Sequence, residues 1–258
     1  MRLKIQSTLD YHLPLPVSLL LQVEAAHLPE QCVESGRLDL SDCDHFARVP
    51  AHDAIGERVW LRASGRFTAH YEAIVRIDRM VADIATLPAA PVHELPGETV
   101  QYLLDSLYCR GSRFDNLVHS EFDGLTGGAK IAALRDFIHD HFEYVPGSSN
   151  ADTDATESFV QRQGVCRDYA HVMIALARAS EVPARMASVY APGVDPPDFH
   201  AVAEVFLGGA WHLVDPTGMA KEGEMAKIGV GRDAADIAFL TAFGKCEMQT
   251  QQVTVTAI

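Results

Sequence analysis

The amino-acid sequence predicts an α+β protein in two parts, and three features carry that prediction. Short apolar–polar alternations fill residues 1 to 85, prolines crowd residues 86 to 98, and helical periodicity followed by a hairpin pattern occupies the rest, to residue 258. A period of two puts successive side chains on opposite faces of a strand, whereas steps of three and four residues line up one face of a helix. The boundaries that follow are a β-rich N-terminal domain over 1–85, a linker over 86–98 and a mixed core over 99–258.

Within the first part, the alternating sets are Leu3, Ile5 and Ser7; Leu19, Leu21 and Val23; Val59, Leu61 and Ala63; and the run Phe67 to Ile77. They are broken by Pro14-Leu15-Pro16, Ser35-Gly36 and Ser64-Gly65, which predicts an antiparallel, sandwich-like arrangement. His12, His27, His45, His52 and His70 share no spacing, and metal sites need convergent ligands, so these histidines are read as structural or solvated. Pro88, Pro91, Pro96 and Gly97 then suggest a stiff spacer without internal hydrogen bonds.

Beyond the spacer, Glu98 to Leu107 and Ala129 to Phe142 read as helices, the second with Ile131, Leu134, Phe137, Ile138 and His141 on one face. His139 and His141, two apart, point to different faces and make no metal pair. Asp154-Ala155-Thr156-Glu157 has the form of a capping box, and Gly164 offers a left-handed stop. From Cys166 to Ala179 the helical pattern is apolar almost all round, as in a buried central helix. Phe199 to Leu207 and Ala210 to Val214 flank Gly208-Gly209, a two-residue hairpin turn.

Composition narrows the function classes. Hydrophobic residues make up 48% and charged residues 22%, which excludes a disordered chain. A net charge of −14 argues against nucleic acid or an anionic membrane as partner. The longest apolar run, Val17 to Val23, contains Ser18 and Gln22 and falls short of a membrane span. Met1 to Ile5 runs straight into a strand pattern with no signal-peptide features, which places the protein in the cytoplasm. Cys32, Cys43, Cys109, Cys166 and Cys246 are odd in number and form no CxxC pair, as expected in a reducing compartment without structural zinc. Asp152-Thr153-Asp154 lacks the EF-hand ligand pattern, and no cofactor is indicated.

Chemistry concentrates on Cys166, His200 and Asp215. A thiol in the first turn of a helix feels the positive end of the helix dipole, and a neighbouring imidazolium adds to it; both favour the reactive thiolate. With Leu207 opposite Ala210, His200 faces Thr217 and Asp215 faces Val202. The two side chains are then diagonal neighbours on one face, with α-carbons about 7–8 Å apart. A three-residue loop would reverse the parity and separate them. Phe206 opposite Trp211 is expected to floor the pair, while His212 falls on the opposite face and His171 on the far side of its helix from Cys166. The remaining cysteines have no indicated base and read as buried or inert thiols.

Four ordered segments carry a family resemblance: Gly164-Val165-Cys166-Arg167-Asp168-Tyr169-Ala170-His171, Val182-Pro183-Ala184-Arg185, Phe199-His200-Ala201-Val202, and Trp211-His212-Leu213-Val214-Asp215-Pro216-Thr217. Together they resemble the bacterial transglutaminase-like superfamily, over about residues 130 to 220, with a β-rich N-terminal region of the kind that often precedes this core. Gly231 to Asp236 resembles the family's segment before its last strand. The resemblance implies a papain-like fold for the catalytic core, its cysteine helix packed on an antiparallel sheet. It implies Cys166 as nucleophile, His200 as general base and then acid, and Asp215 as the orienting carboxylate. Arg167, Asp168 and Arg185 belong to the pattern and are expected to brace the fold by ion pairing. The backbone N–H of Cys166 is a candidate oxyanion donor, joined by Gln161 or Gln163.

These residues suit attack of a thiolate on a peptide or carboxamide carbonyl and passage through a thioester. Release to water gives a cysteine protease or amidase; release to an amine gives a protein-glutamine transglutaminase. Hydrolysis is the expected outcome, since excluding water requires a shaped tunnel that the sequence does not signal. The same residues also admit an arylamine N-acetyltransferase and, outside catalysis, a peptide-binding module. The partner expected is a peptide or protein substrate.

Overall fold

The computed structural model describes residues 1–258. Its N-terminal part is built on two long antiparallel strands, β1 (Arg2–Leu21) and β4 (Glu57–Ile77). They pair from Arg2 opposite Arg76 to Leu21 opposite Val59, and odd-numbered residues of both face inward, among them Leu3, Ile5, Leu19, Leu61, Phe67 and Val75. β2 (Gln31–Leu40) and β3 (His45–Pro50) pair with successive halves of β4.

The expected breaks do not end strands. Pro14-Leu15-Pro16 is a bulge between the pairs Leu13–Gly65 and Val17–Ala63, where three residues of β1 face the single Ser64. Proline has no N–H to give a ladder, so a bulge is where a strand tolerates it, and Gly65 takes the positive φ of 73° that the corner needs. Both spans across the bulge are even, so the same parity stays buried on either side. Ser35-Gly36 likewise lies inside β2, beside a register shift.

The second part contributes a short α1 (Asp115–Glu121), α2 (Gly127–His141), the two-residue β5 (Glu143–Tyr144), α3 (Ala155–Gln161), β6 (Gln163–Gly164) and α4 (Cys166–Ala179). A four-stranded antiparallel sheet follows, formed by β7 (Ala184–Tyr190), β8 (His200–Leu207), β9 (Ala210–Val214) and β10 (Ala226–Gly231), in the order β10-β7-β8-β9. Every residue of α4 from Asp168 to Ala179 is buried, as its sequence requires. The helix lies on one face of the sheet, against Ala184, Met186, Ala203, Val205 and Leu207, with α2 and α3 behind it. A papain-like layering of helix on antiparallel sheet is thus present, and none of the helices is long and apolar enough to cross a membrane.

α5 (Ala234–Ile237) leads to β11 (Leu240–Ala242) and β12 (Glu247–Ala257), and both of these strands pair with β1. Although they follow the core in sequence, they complete the N-terminal sheet, running from Leu3 opposite Ala257 to His12 opposite Glu247. Without them β1 would expose a long row of unpaired N–H and C=O groups. The two parts are also tied by side chains. The Tyr190 hydroxyl donates to the Val23 carbonyl at 2.7 Å, and the Gln31 amide donates to the carbonyls of Ala26 and Lys227.

Two further expectations change. Residues 86–98 are not a spacer without hydrogen bonds: Pro91 and Val92 open a 3-10 turn, and the carbonyls of Leu87 and Pro88 accept from Gly128 and Gly208 in the core. Glu98 to Leu107 forms only a 3-10 segment, Gly97–Tyr102, because Tyr102 is drawn into the interior to donate to Asp53 while Leu104 and Leu107 stay exposed.

Candidate active site

The approach to Cys166 is held by a short parallel pairing, Glu143 with Gln163 and Tyr144 with Gly164. α3 carries the expected capping box of Asp154 and Glu157, but it ends on Arg162 with a φ of 56°, one residue before β6. The left-handed residue is therefore Arg162 and not Gly164. Its guanidinium lies over Phe159 and Phe137, with centroids at 4.1 and 4.9 Å, so aromatic contacts offset the strain of that conformation. Gly164 is required for space: a Cβ there would sit 2.5 Å from the Cβ of Asp168.

Asp168 fixes the start of α4. Its fully buried carboxylate accepts the Val165 N–H at 2.8 Å and the Ser149 hydroxyl at 2.6 Å. Arg167 stands 3.5 Å from the other oxygen. Val165 cannot cap a helix with its own side chain, so Asp168 reaching back takes over that role and sets the direction in which Cys166 leaves the turn.

β8 and β9 pair as the turn predicts, from Leu207 opposite Ala210 to Ala203 opposite Val214. Gly208 and Gly209 supply the two positive φ values, 58° and 81°, that match the twist of a two-residue hairpin. Extending that register brings His200 Nε2 to 2.9 Å from Asp215 Oδ2. Asp215 also accepts the Thr217 N–H and hydroxyl at 2.9 and 2.7 Å, and the Ala220 N–H at 2.9 Å. These donors hold its carboxyl below the usual carboxylate range despite burial.

Burial opposes a charged ring at His200, but the Asp215 carboxylate and the Cys166 sulfur outweigh it and raise the His200 pKa to about 10. Its Nδ1 is buried and has no hydrogen-bond partner. Cys166, which is half-buried, and His200 line one cavity of about 500 Å³. All three residues singled out from the sequence are thus brought together by α4, the start of β8 and the residue after β9.

Other expectations fare differently. Phe206 does pair with Trp211, rings 5.4 Å apart, but not beneath the His200–Asp215 pair. Six residues of strand separate Phe206 from His200, about 20 Å at the usual rise. Trp211 packs instead on Tyr102 and on Arg185, whose guanidinium is 4.0 Å from its ring. Of the two intervening positions on that face, Val202 and Glu204, the second lies fully buried between Arg185 at 2.7 Å and Lys227 at 2.6 Å. Arg185 reaches on to Asp53 at 2.9 Å, so it braces the fold as expected. His171 is buried and kept neutral, its pKa driven down to about 3 by burial; it stacks on Tyr108 and accepts the Ala234 N–H. Gln161 is exposed at the end of α3, and neither it nor Gln163 lines the cavity.

Sequence reasoning missed Tyr144. Burial and the charge of Cys166 raise the pKa of its hydroxyl, which sets the phenol beside the thiol as a neutral group. The pairing of β5 with β6 that puts it there spans two residues per strand, too short to leave a periodic signal.

Comparison with known proteins agrees with this architecture. The model of the transglutaminase-like superfamily matches residues 118–216, a stretch that contains Cys166, His200 and Asp215. The crystal structure of a candidate cysteine protease from Cytophaga hutchinsonii has a TM-score of 0.92 at 31% identity, over 99% of this chain and 90% of that one. An uncharacterized protein of Mycobacterium leprae is 31% identical over 119 residues, 43% of this chain and 42% of its own length. One of Mycobacterium tuberculosis is 31% identical over 125 residues, 42% of this chain and 40% of its own length. The chain thus spans about two fifths of the length of these curated relatives. With near-complete coverage of a 31% identical structure and a family match that spans Cys166, His200 and Asp215, the chain belongs to the transglutaminase-like superfamily.

Proposed function

We propose that the protein is a thiol-dependent acyl-transfer enzyme that hydrolyses a peptide or carboxamide bond. The observation that carries this reading is the shared cavity of Cys166 and His200, with the imidazole tied to Asp215 at 2.9 Å. In the first half-reaction the Cys166 thiolate forms a C–S bond with the substrate carbonyl. The imidazolium of His200 gives its proton to the departing nitrogen, the C–N bond breaks, and a thioester remains. In the second, the neutral imidazole takes a proton from water, the oxygen attacks, the C–S bond breaks, and thiolate and imidazolium are restored.

Asp215 holds the imidazole through Nε2, which leaves Nδ1 for this proton traffic, and its fixed charge stabilises the imidazolium. The N–H of Cys166 at the helix start and the protonated phenol of Tyr144 are the proposed donors to the oxyanion. The half-buried position of Cys166 supports water as the second nucleophile. Five cysteines without a disulfide support a reducing, cytoplasmic setting.

Iodoacetamide labelling of Cys166 across pH tests the premise. Faster labelling than in His200→Ala is expected, and equal rates in the two proteins would favour a peptide-binding module. Incubation with a glutamine-containing peptide and a labelled amine then separates the two releases. Free acid is the expected product, and robust incorporation of amine would move the assignment to a transglutaminase.

A further inference from the structure

Most of the wall around Cys166 is apolar. Met186 on β7, Ala201 on β8 and Ala234 and Ile237 of α5 line it, and Phe199 stacks face to face on Phe239 at 4.7 Å. Besides His200, the ionic groups on this wall are Arg167 and Asp198. Arg167 gives its Nη2 to the Asn150 carbonyl at 2.6 Å and to Ser149, and it stands 3.5 Å from the Asp168 carboxylate, which counters its charge. Asp198 accepts from the Phe199 N–H at 2.7 Å and from the Gln251 amide. Asp168 and Asp215 already neutralise the cations Arg167 and His200, and Asp198 repels a carboxylate.

We infer that the acyl half of the substrate carries an uncharged apolar side chain, of the size of leucine, methionine or phenylalanine, beside the carbonyl that Cys166 attacks. The inference rests on the reading of Cys166 as the acyl acceptor. A cavity of about 500 Å³ accommodates such a side chain with a stretch of backbone. Transfer of one large apolar side chain from water into this wall corresponds to an advantage of about 10- to 100-fold over a small residue. An acidic side chain loses its hydration there and meets cations already paired with Asp168 and Asp215.

The test uses two forms of the full chain. Cys166→Ala is titrated by NMR with blocked Ala-Xaa-Ala amides in which Xaa is Leu, Met, Phe, Gln, Lys or Asp. The unaltered protein is treated with the N-acetyl-Xaa p-nitrophenyl esters, and acyl-enzyme is followed by mass and by the burst of nitrophenol. Leu, Met or Phe should rank first in both assays and Asp last, with about 10- to 100-fold between them. Ala238→Asp, on an exposed lining residue, should weaken binding of the apolar peptides and strengthen that of Lys.

Equal or tighter binding of Asp, Lys or Gln peptides to Cys166→Ala overturns the inference, as does an absence of any difference across the panel. If apolar peptides rank first on Cys166→Ala while no ester acylates the unaltered protein, the inference stands as a binding preference and the catalytic reading falls.

Discussion

His200 and Asp215 are joined by one 2.9 Å hydrogen bond between nearly solvent-free side chains, and the bond engages Nε2. That choice of nitrogen fixes the imidazole tautomer from behind and leaves Nδ1 buried and unpaired, in a ring that shares its cavity with Cys166. An amide at 215 would keep the shape and lose the charge. Asp215→Asn should therefore lower kcat by about 100- to 10,000-fold with the fold intact, as read by steady-state kinetics beside a circular dichroism spectrum.

The same pair makes stability depend on pH. His200 titrates higher in the folded chain, at about 10, than its ordinary value of 6.5, so its contribution is fully present below 6.5 and is lost as pH rises through about 10. Asp215 titrates below its ordinary 3.8, so its contribution is present above 3.8 and is lost as pH falls through the lower folded value. Urea melts of the unaltered protein and of His200→Gln should differ most between about pH 4 and 6.5 and converge above pH 10. A constant difference across that range would show that His200 is not protonated in the folded protein.

Tyr144→Phe removes one hydroxyl from beside the thiol and keeps the ring that packs near Tyr169, centroids 6.1 Å apart. If the phenol donates to the oxyanion, kcat should drop by about 100- to 1,000-fold with little change in KM. Unchanged kcat would confine Tyr144 to packing.

Glu204 lies fully buried between Arg185 and Lys227, far along β8 from His200. Glu204→Gln leaves two buried cations without their shared counter-charge and should destabilise the protein by about 3–5 kcal/mol in urea unfolding. Activity per folded molecule should be preserved, because none of these three groups lines the cavity.

How far each element was legible follows from how local its cause is. The helix of Cys166 to Ala179 and the hairpin through Gly208-Gly209 rest on periodicity and turn chemistry within a few residues, and both occur where those signals put them. Their register alone sufficed to pair His200 with Asp215. Gly164 shows the opposite: its identity is visible in the sequence, but the reason for it is the Asp168 side chain occupying the space a Cβ would need, which no local pattern reports. Pro14-Leu15-Pro16 marks a corner in either reading, and only the unbroken ladder on both sides shows that the strand runs through it.

The sequence by itself determined the alternating runs of β1 and β4, the β8–β9 hairpin, the buried cysteine helix and the face shared by His200 and Asp215, because alternation, helical repeat and a two-residue turn are short-range constraints on the backbone. Tertiary structure alone decided that the last strands complete the first sheet, that Tyr144 stands beside the thiol, and that α5 and Cys166 line one apolar cavity. Those relations join residues far apart along the chain, and they form because burying apolar surface and pairing exposed strand edges depend on position in space, which sequence distance does not encode.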